Sequence, residues 1–423
     1  MELEKKRWVY MVMCTIINVV LGQTYAWSVF AKPISEQFGW GPVDVALAFT
    51  IFHSIAVIPI IVGGKVQDYI EPKYVILIGG LVYGLSMLAM GYIQTLTHLY
   101  LAYGVFGGIS MGFTYAGTVP NIVRFFPDRR GLASGVLAAG VGSGALIWAP
   151  VAAKLIESNG VLGAYKVLGI IYLIVLVGLA LLVKTAPEGY KPAGWKPSAD
   201  LQKTLAIPDK NWKEMLADPL FYCLACMFVM GTIAGLMIIA HASPILQSVG
   251  GLTPVVAGSW VGILAVANSG GRVGWGFISD RIGRLPSMII IYILCGLGML
   301  SLATIAKSDT LALLIFSILL VGSCFGGFMG MLASTTADAF GPKYLPVNFG
   351  VMFFAFGVAA FIGPRLAATI KQANNGDYSK AFLIASALSL VGIALAFLAN
   401  KLLQKKRRDA EAASGAAMAQ PAA

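Results

Sequence analysis

Gly276-Phe277-Ile278-Ser279-Asp280-Arg281-Ile282-Gly283-Arg284 is the stretch that decides how the chain folds. It closes an apolar run, Val255 to Phe277. A run of that length crosses a bilayer, whose core of about 30 Å takes about 20 helical residues. A second copy, Gly64-Lys65-Val66-Gln67-Asp68-Tyr69-Ile70-Glu71-Pro72-Lys73, follows another apolar run, with its aspartate 212 positions earlier (280 against 68). Further along, Phe125-Phe126-Pro127-Asp128 is echoed by Ala339-Phe340-Gly341-Pro342 at an offset of about 214. A constant offset across two landmarks marks a duplicated unit.

Working outward, the composition agrees. Hydrophobic residues make up 58% of the chain and charged ones 12%, where a soluble domain carries about a quarter charged. Continuous apolar runs exclude a β-barrel, whose strands alternate. The fold class expected is an all-α membrane protein of twelve transmembrane helices in two pseudo-symmetric six-helix bundles. The span cores read 8–30, 44–62, 74–93, 99–121, 132–156, 162–183, 220–247, 255–278, 286–306, 311–335, 349–370 and 380–400. The domains expected are residues 1–183, a cytoplasmic linker 184–218 of prolines, lysines and acids, residues 219–401, and a disordered cytoplasmic tail 402–423.

With the N-terminus inside, the inner segments hold 22 Lys and Arg and the outer loops seven. By the positive-inside rule both termini are cytoplasmic, in a cytoplasmic membrane. The net charge of +11 then reflects topology and anionic lipid, not nucleic acid. Lys5-Lys6-Arg7 and the apolar stretch after it resemble a signal peptide. The stretch is too long and no small-residue cleavage site follows, so it reads as an uncleaved first span. Cys223 and Cys226 form a C-x-x-C on an apolar helix with no nearby acid, which points to packing and not to metal or redox chemistry.

Arg272 lies inside the eighth span. Arginine at a helix centre costs about 2.5–3.5 kcal/mol on insertion scales and usually faces a cavity or a partner. Asn268, four residues earlier, shares its helix face. Gly270, Gly271, Gly274 and Gly276 remove bulk and are expected to let other helices approach. A guanidinium fork matches a carboxylate bidentately, so Arg272 is read as an anion-binding residue. The alternative is an arginine that snorkels to the cytoplasmic interface, since Asp280 is only about 12 Å further along a helix, or that pairs with a buried acid. His53 in span 2 and His241 in span 7 are the titratable groups within the spans and the candidates for proton coupling. Pro244, just after His241, frees backbone carbonyls there.

At these residues a family becomes recognisable. G-x-x-x-D-x-x-G-x-[RK] between spans 2 and 3 and again between spans 8 and 9 resembles the signature of the major facilitator superfamily. The second copy carries both glycines and the aspartate, with Arg284 directly after Gly283; in the first, Glu71 stands where glycine is expected. The resemblance implies that Asp68, Asp280, Arg281 and Arg284 act as conformational latches. A narrower resemblance follows from Phe126-Pro127-Asp128-Arg129-Arg130-Gly131-Leu132-Ala133-Ser134-Gly135, Gly22-Gln23-Thr24-Tyr25-Ala26-Trp27, His241-Ala242-Ser243-Pro244, and Asn268 with Arg272. These look like motifs of the monocarboxylate transporter and oxalate/formate antiporter families. That implies two six-helix bundles around a central cavity, with a carboxylate on Arg272 and aromatic walls from Tyr115 and Tyr25. Asn268 stands where animal monocarboxylate transporters tend to have an acid. Phe356 stands where oxalate exchangers carry a second cation. Phe325 and Phe356 are candidates to cap an apolar substrate tail.

The function expected is proton-coupled secondary transport of a small monocarboxylate such as lactate, pyruvate or formate, by a monomer, without metal or cofactor. With no P-loop, zinc spacing or Ser/His/Asp set, no enzyme is expected. The alternatives are carboxylate exchange of the oxalate/formate kind and, from another class, a non-transporting membrane sensor.

Overall fold

Each apolar run forms a helix because in lipid every backbone N–H and C=O must be satisfied within its own segment. The computed structural model describes residues 2–196, 208–305 and 310–419. Residues 197–207 of the expected linker lie outside the described residues. In chain order the helices are α1 (Glu2–Leu21), α2 (Trp27–Phe38), α3 (Pro42–Val66), α4 (Pro72–Ala89), α5 (Gly108–Phe125), α6 (Arg130–Leu182), α7 (Trp212–Leu216), α8 (Pro219–Ser248), α9 (Pro254–Ile282), α10 (Arg284–Ile305), α11 (Leu311–Phe340), α12 (Leu345–Ala373) and α13 (Ser379–Ala419). A 3₁₀ turn, Gly22–Ala26, joins α1 to α2, and a π-helical stretch, Tyr100–Gly107, leads into α5.

Helix falls on all twelve stretches expected to span. Among the described residues, nine helices are long and apolar enough to cross a membrane. One of them, α6, is 53 residues long and breaks at Gly160 (φ 68°, ψ 171°), where two helices meet. The tail expected to be disordered from residue 402 continues α13 as helix to Ala419.

The chain forms two compact units. The first is Met1–Phe126 with Val136–Tyr190; the second is Pro127–Gly135 with Lys191–Ala423. Within the first, glycines spaced by four let α5 and its lead-in press on α3. A Cβ on Gly104, Gly108 or Gly112 would stand 3.3, 2.5 and 2.5 Å from the carbonyl oxygens of Ala48, Phe52 and Ala56. Small residues at this spacing are how membrane helices gain packing where no hydrophobic drive separates protein from lipid.

The second unit repeats the device. On α11, a Cβ on Gly322 would stand 2.2 Å from the Leu264 side chain, and Cβ atoms on Gly326 and Gly330 would stand 2.1 and 2.3 Å from the Asn268 and Arg272 carbonyl oxygens. Gly112 and Gly326 are 214 positions apart; Ala56 and Asn268 are 212 apart. The duplication seen at the loops therefore extends into the packing. Arg272 occupies the position that Ile60 holds in the first unit (272 against 60).

The far end of the second unit is tied down by hydrogen bonds. Asn211 caps α7 in a capping box with Glu214. Lys210 N–H donates to Phe340 O at 2.9 Å and Asn348 Nδ2 donates to Lys210 O at 2.8 Å. Asp218 caps α8 through Leu220 N–H at 3.0 Å, and receives Lys210 Nζ at 2.6 Å and Lys406 Nζ.

Candidate substrate site and charge cluster

Arg272 is 5% exposed and its Nε–H donates to Asn268 Oδ1 at 3.2 Å. The i, i+4 spacing on α9 brings the two groups together. That bond holds the plane of the guanidinium through Nε; the terminal amino pair is what matches a carboxylate end-on. The burial of Arg272 is unlike a side chain that extends its head group into water, as a snorkelling arginine does. The backbone beneath Arg272 is equally constrained. A Cβ on Gly135, at the start of α6, would stand 2.2 Å from Arg272 O, and one on Gly330 of α11 2.3 Å from the same oxygen.

The four glycines around Arg272 divide. Gly271 packs on the Ser323 backbone and Gly276 on Gly131 O, 2.2 and 2.3 Å from the respective oxygens had they a Cβ. Gly270 and Gly274 face open space and bring no helix closer.

Phe356 is half-buried and its ring lies 5.2 Å from that of Phe353, which stacks in turn near Phe349 at 5.7 Å. Phe325 is 3% exposed and its Cβ would lie 2.2 Å from a Cβ on Gly235, so it fills the seam with α8. Tyr115, Tyr25 and His53 belong to the first unit. Tyr115 is buried; Tyr25, in the 3₁₀ turn, is 40% exposed, with its ring 6.3 Å from His53.

The two histidines differ in their bonding. His53 Nδ1 lies 3.0 Å from Phe49 O, and its Nε2 is buried with no hydrogen-bond partner among the described residues. His241 Nε2 lies 3.1 Å from Pro364 O and Nδ1 lies 3.3 Å from the Tyr378 hydroxyl. A carbonyl only accepts, so Nε2 of His241 carries the proton and the neutral Nδ1 accepts from Tyr378. On protonation the hydroxyl can turn and accept instead. Both ring nitrogens of His241 thus face a hydrogen-bonding oxygen, whereas His53 has one only at Nδ1 among the described residues.

Of the expected latch residues, Asp280 and Arg284 join one cluster. Asp280 accepts from Gly131 N–H and Leu132 N–H at 2.8 Å each, capping the N-terminus of α6, where unpaired N–H groups and the helix dipole favour an anion. Arg284 bridges Asp280 and Asp338 at 2.7 Å each, and Arg130 meets Asp338 at 2.7 Å. Arg281 stays outside, exposed, with its guanidinium 4.3 Å over the Phe277 ring. Asp68, in the turn after α3, pairs with Lys65 at the end of that helix, both side chains being about a third exposed or more. Asp338 and Arg130 were not singled out from sequence. The available signal was an acid at the end of the apolar run of span 10, opposite in charge to Arg124 at the corresponding place in the first half.

Two units of repeated helices, packed by matching glycine stripes, with a buried arginine inside the span α9, define a membrane transporter built by duplication. The chain matches the family model of the Major Facilitator Superfamily over residues 12–364 and belongs to that superfamily. It is 30% identical to the oxalate:formate antiporter of Oxalobacter formigenes over 396 residues, covering 92% of this chain and 90% of that one. It is 23% identical to monocarboxylate transporter 12 of Xenopus laevis, covering 96% and 91%. The proton:xylose symporter XylE, 13% identical, superposes with a TM-score of 0.72 over 92% of this chain and 95% of that one.

Proposed function

We propose that the chain carries a small monocarboxylate of the lactate, pyruvate or formate class across the cytoplasmic membrane together with a proton, by rocker-switch alternating access, with both termini cytoplasmic. The observation that carries this reading is Arg272, buried on α9 with its guanidinium plane held by Asn268 Oδ1. One buried cation neutralises one carboxylate, and Phe356 offers no second charge for a dianion. Similarity to a monocarboxylate transporter supports the same class. Tyr115, Tyr25, Phe325 and Phe356 are proposed as the apolar walls, and His241, ahead of His53, as the proton carrier. Asp280 with Arg130, Arg284 and Asp338 is proposed as the latch of one conformation, and Asp68 as its weaker counterpart.

A second reading is exchange of one carboxylate for another. It is favoured by the 30% identity to an oxalate:formate antiporter. Both modes remove the cost of bringing a monoanion into an inside-negative cell, about 2.3 kcal/mol per 100 mV. The experiment is uptake of labelled lactate, formate and oxalate into proteoliposomes, with and without an imposed proton gradient and with and without internal carboxylate. Stimulation by external acid supports symport; a strict need for internal anion replaces it with exchange. No uptake of any carboxylate, with binding retained, would leave a sensor.

A further inference from the structure

We propose that the core of the first unit holds an internal water site, walled by Gln23 of the 3₁₀ turn and by Tyr165 and Tyr172 of α6. All three side chains are fully buried. Among the described residues, Gln23 Nε2 and the hydroxyls of Tyr165 and Tyr172 have no hydrogen-bond partner. Buried amides and hydroxyls are almost always bonded, to protein or to ordered water. The three orphans share one neighbourhood. Tyr165 and Tyr172 are about two turns apart and so lie on one face of α6. Tyr165 lies beside Gln23 without reaching hydrogen-bonding geometry, and within electrostatic reach of Tyr83, Tyr103 and Tyr172. The Tyr172 ring is 6.1 Å from that of Tyr83, whose hydroxyl donates to Gln23 Oε1 at 3.3 Å. Thr24 Oγ1 lies 3.4 Å from the Tyr103 hydroxyl. Both bonds are long for their type, so these polar groups are spaced for bridging more than for direct contact.

The chemistry of the orphans selects the occupant. The Gln23 amide nitrogen only donates, whereas a tyrosine hydroxyl donates and accepts. A water accepts from Gln23 and donates to a hydroxyl, or bridges the two tyrosines. None of the six residues is charged, so the site offers an ion nothing to neutralise it and suits a small neutral molecule. Aromatic rings close it off: Phe30 lies 4.4 Å from Tyr165, Trp148 4.7 Å from Tyr172 and Trp27 4.2 Å from Tyr103. The site sits where α1 breaks. Gly22, Gln23, Thr24 and Ala26 are buried in the turn while Tyr25 is exposed. Trp148 Nε1 donates to Val19 O at 2.9 Å, just before the break, and Gly22 packs backbone to backbone on Gly144. Irregular backbone at membrane depth is tolerated where its polar groups find partners. Water between Gln23 and the tyrosines completes the anchoring of the turn that directs Tyr25 outward. Tyr292 of the second unit, equally buried, instead donates to Met227 O. The proposal is independent of which substrate is carried.

The test is X-ray radiolytic hydroxyl labelling of the purified full chain in nanodiscs, read residue by residue in mass spectrometry. The radicals form from water in place, so a buried side chain is labelled only where water sits against it. Tyr165 and Tyr172 are expected to oxidise several-fold faster than Tyr292. Equally slow labelling of all three would show a dry core and overturn the site. Gln23→Leu removes the amide and should at least halve the labelling of both tyrosines while leaving Tyr292 unchanged. Tyr165→Phe keeps the ring, removes only the hydroxyl and guards against a misfolded Gln23 variant; it should at least halve the labelling of Tyr172. Fast labelling of Tyr172 that neither substitution lowers would mean that bulk water enters by opening of the bundle, and would also overturn the proposal.

Discussion

Gly330 lies directly against Arg272: a Cβ on Gly330 would stand 2.3 Å from the arginine's carbonyl oxygen. The helix that carries the buried cation is thus positioned by backbone contact, and the Asn268 amide holds its side chain through Nε.

That contact predicts an asymmetry among glycines of α9 and α11. Gly330→Ala should destabilise the protein by about 1–3 kcal/mol, the usual cost of overpacking. Gly274→Ala, which meets open space, should be neutral or stabilise by about 0.5–1 kcal/mol through helix entropy. Unfolding in detergent, followed by circular dichroism, decides between them. Equal effects would mean that the helices are not this close.

Arg272→Ala should abolish carboxylate uptake in a protein that still inserts and unfolds near the wild-type midpoint. Arg272→Lys should lose at least tenfold in uptake, because an ammonium is a point charge without the planar fork. Near-normal affinity in the lysine variant, measured by transport or by ligand-induced shift of the midpoint, would remove the bidentate argument.

The charge cluster predicts that Asp338 and Asp68 are unequal. Asp338→Ala leaves Arg130, 4% exposed, without its carboxylate. Breaking a buried pair in this way costs about 3–5 kcal/mol. Asp68→Ala removes an exposed pair with Lys65, worth about 0–1 kcal/mol. Thermal midpoints of the two variants, measured side by side, test the ranking; a larger loss for Asp68→Ala would reverse it.

Asp218 gives a pH dependence. Burial by itself would raise its carboxyl, but hydrogen bonds from Lys210 and Lys406 outweigh that and hold it below the usual carboxylate range. A carboxylate lowered on folding stabilises fully above its unfolded value of about 3.9 and loses that contribution as pH falls through the folded value. Asp218→Asn should therefore lower the midpoint at pH 7 and narrow its gap to wild type as pH drops below about 4. A gap that persists unchanged into acid would show that the lysines do not act through the charge.

His241→Gln should weaken acid-driven uptake, while His53→Gln should matter less, since only His241 has a hydrogen-bond partner at both ring nitrogens among the described residues. Full stimulation by an inward proton gradient in both variants would exclude the histidines and leave the substrate to carry the proton.

The helices, the duplication and the buried cation were all legible in the chain. Apolar runs of bilayer length can satisfy their backbones only as helices. The constant offset between the two aspartate motifs announced a repeat, and an arginine within a span marks itself by its cost. What depended on tertiary structure was how chemically similar residues part company. Gly271 and Gly276 meet neighbouring backbones while Gly270 and Gly274 meet nothing, although all four sit within two turns. Asp280 caps a helix more than a hundred residues earlier, while Asp68 in the same motif turns to its own Lys65. Arg130 and Asp338, 208 positions apart, read as a topology charge and an unremarked acid until folding places them 2.7 Å apart. Periodicity and composition specify which segments are helices, because those depend on local backbone satisfaction. Which face of each helix finds a partner depends on contacts between distant segments, and only the packed chain decides that.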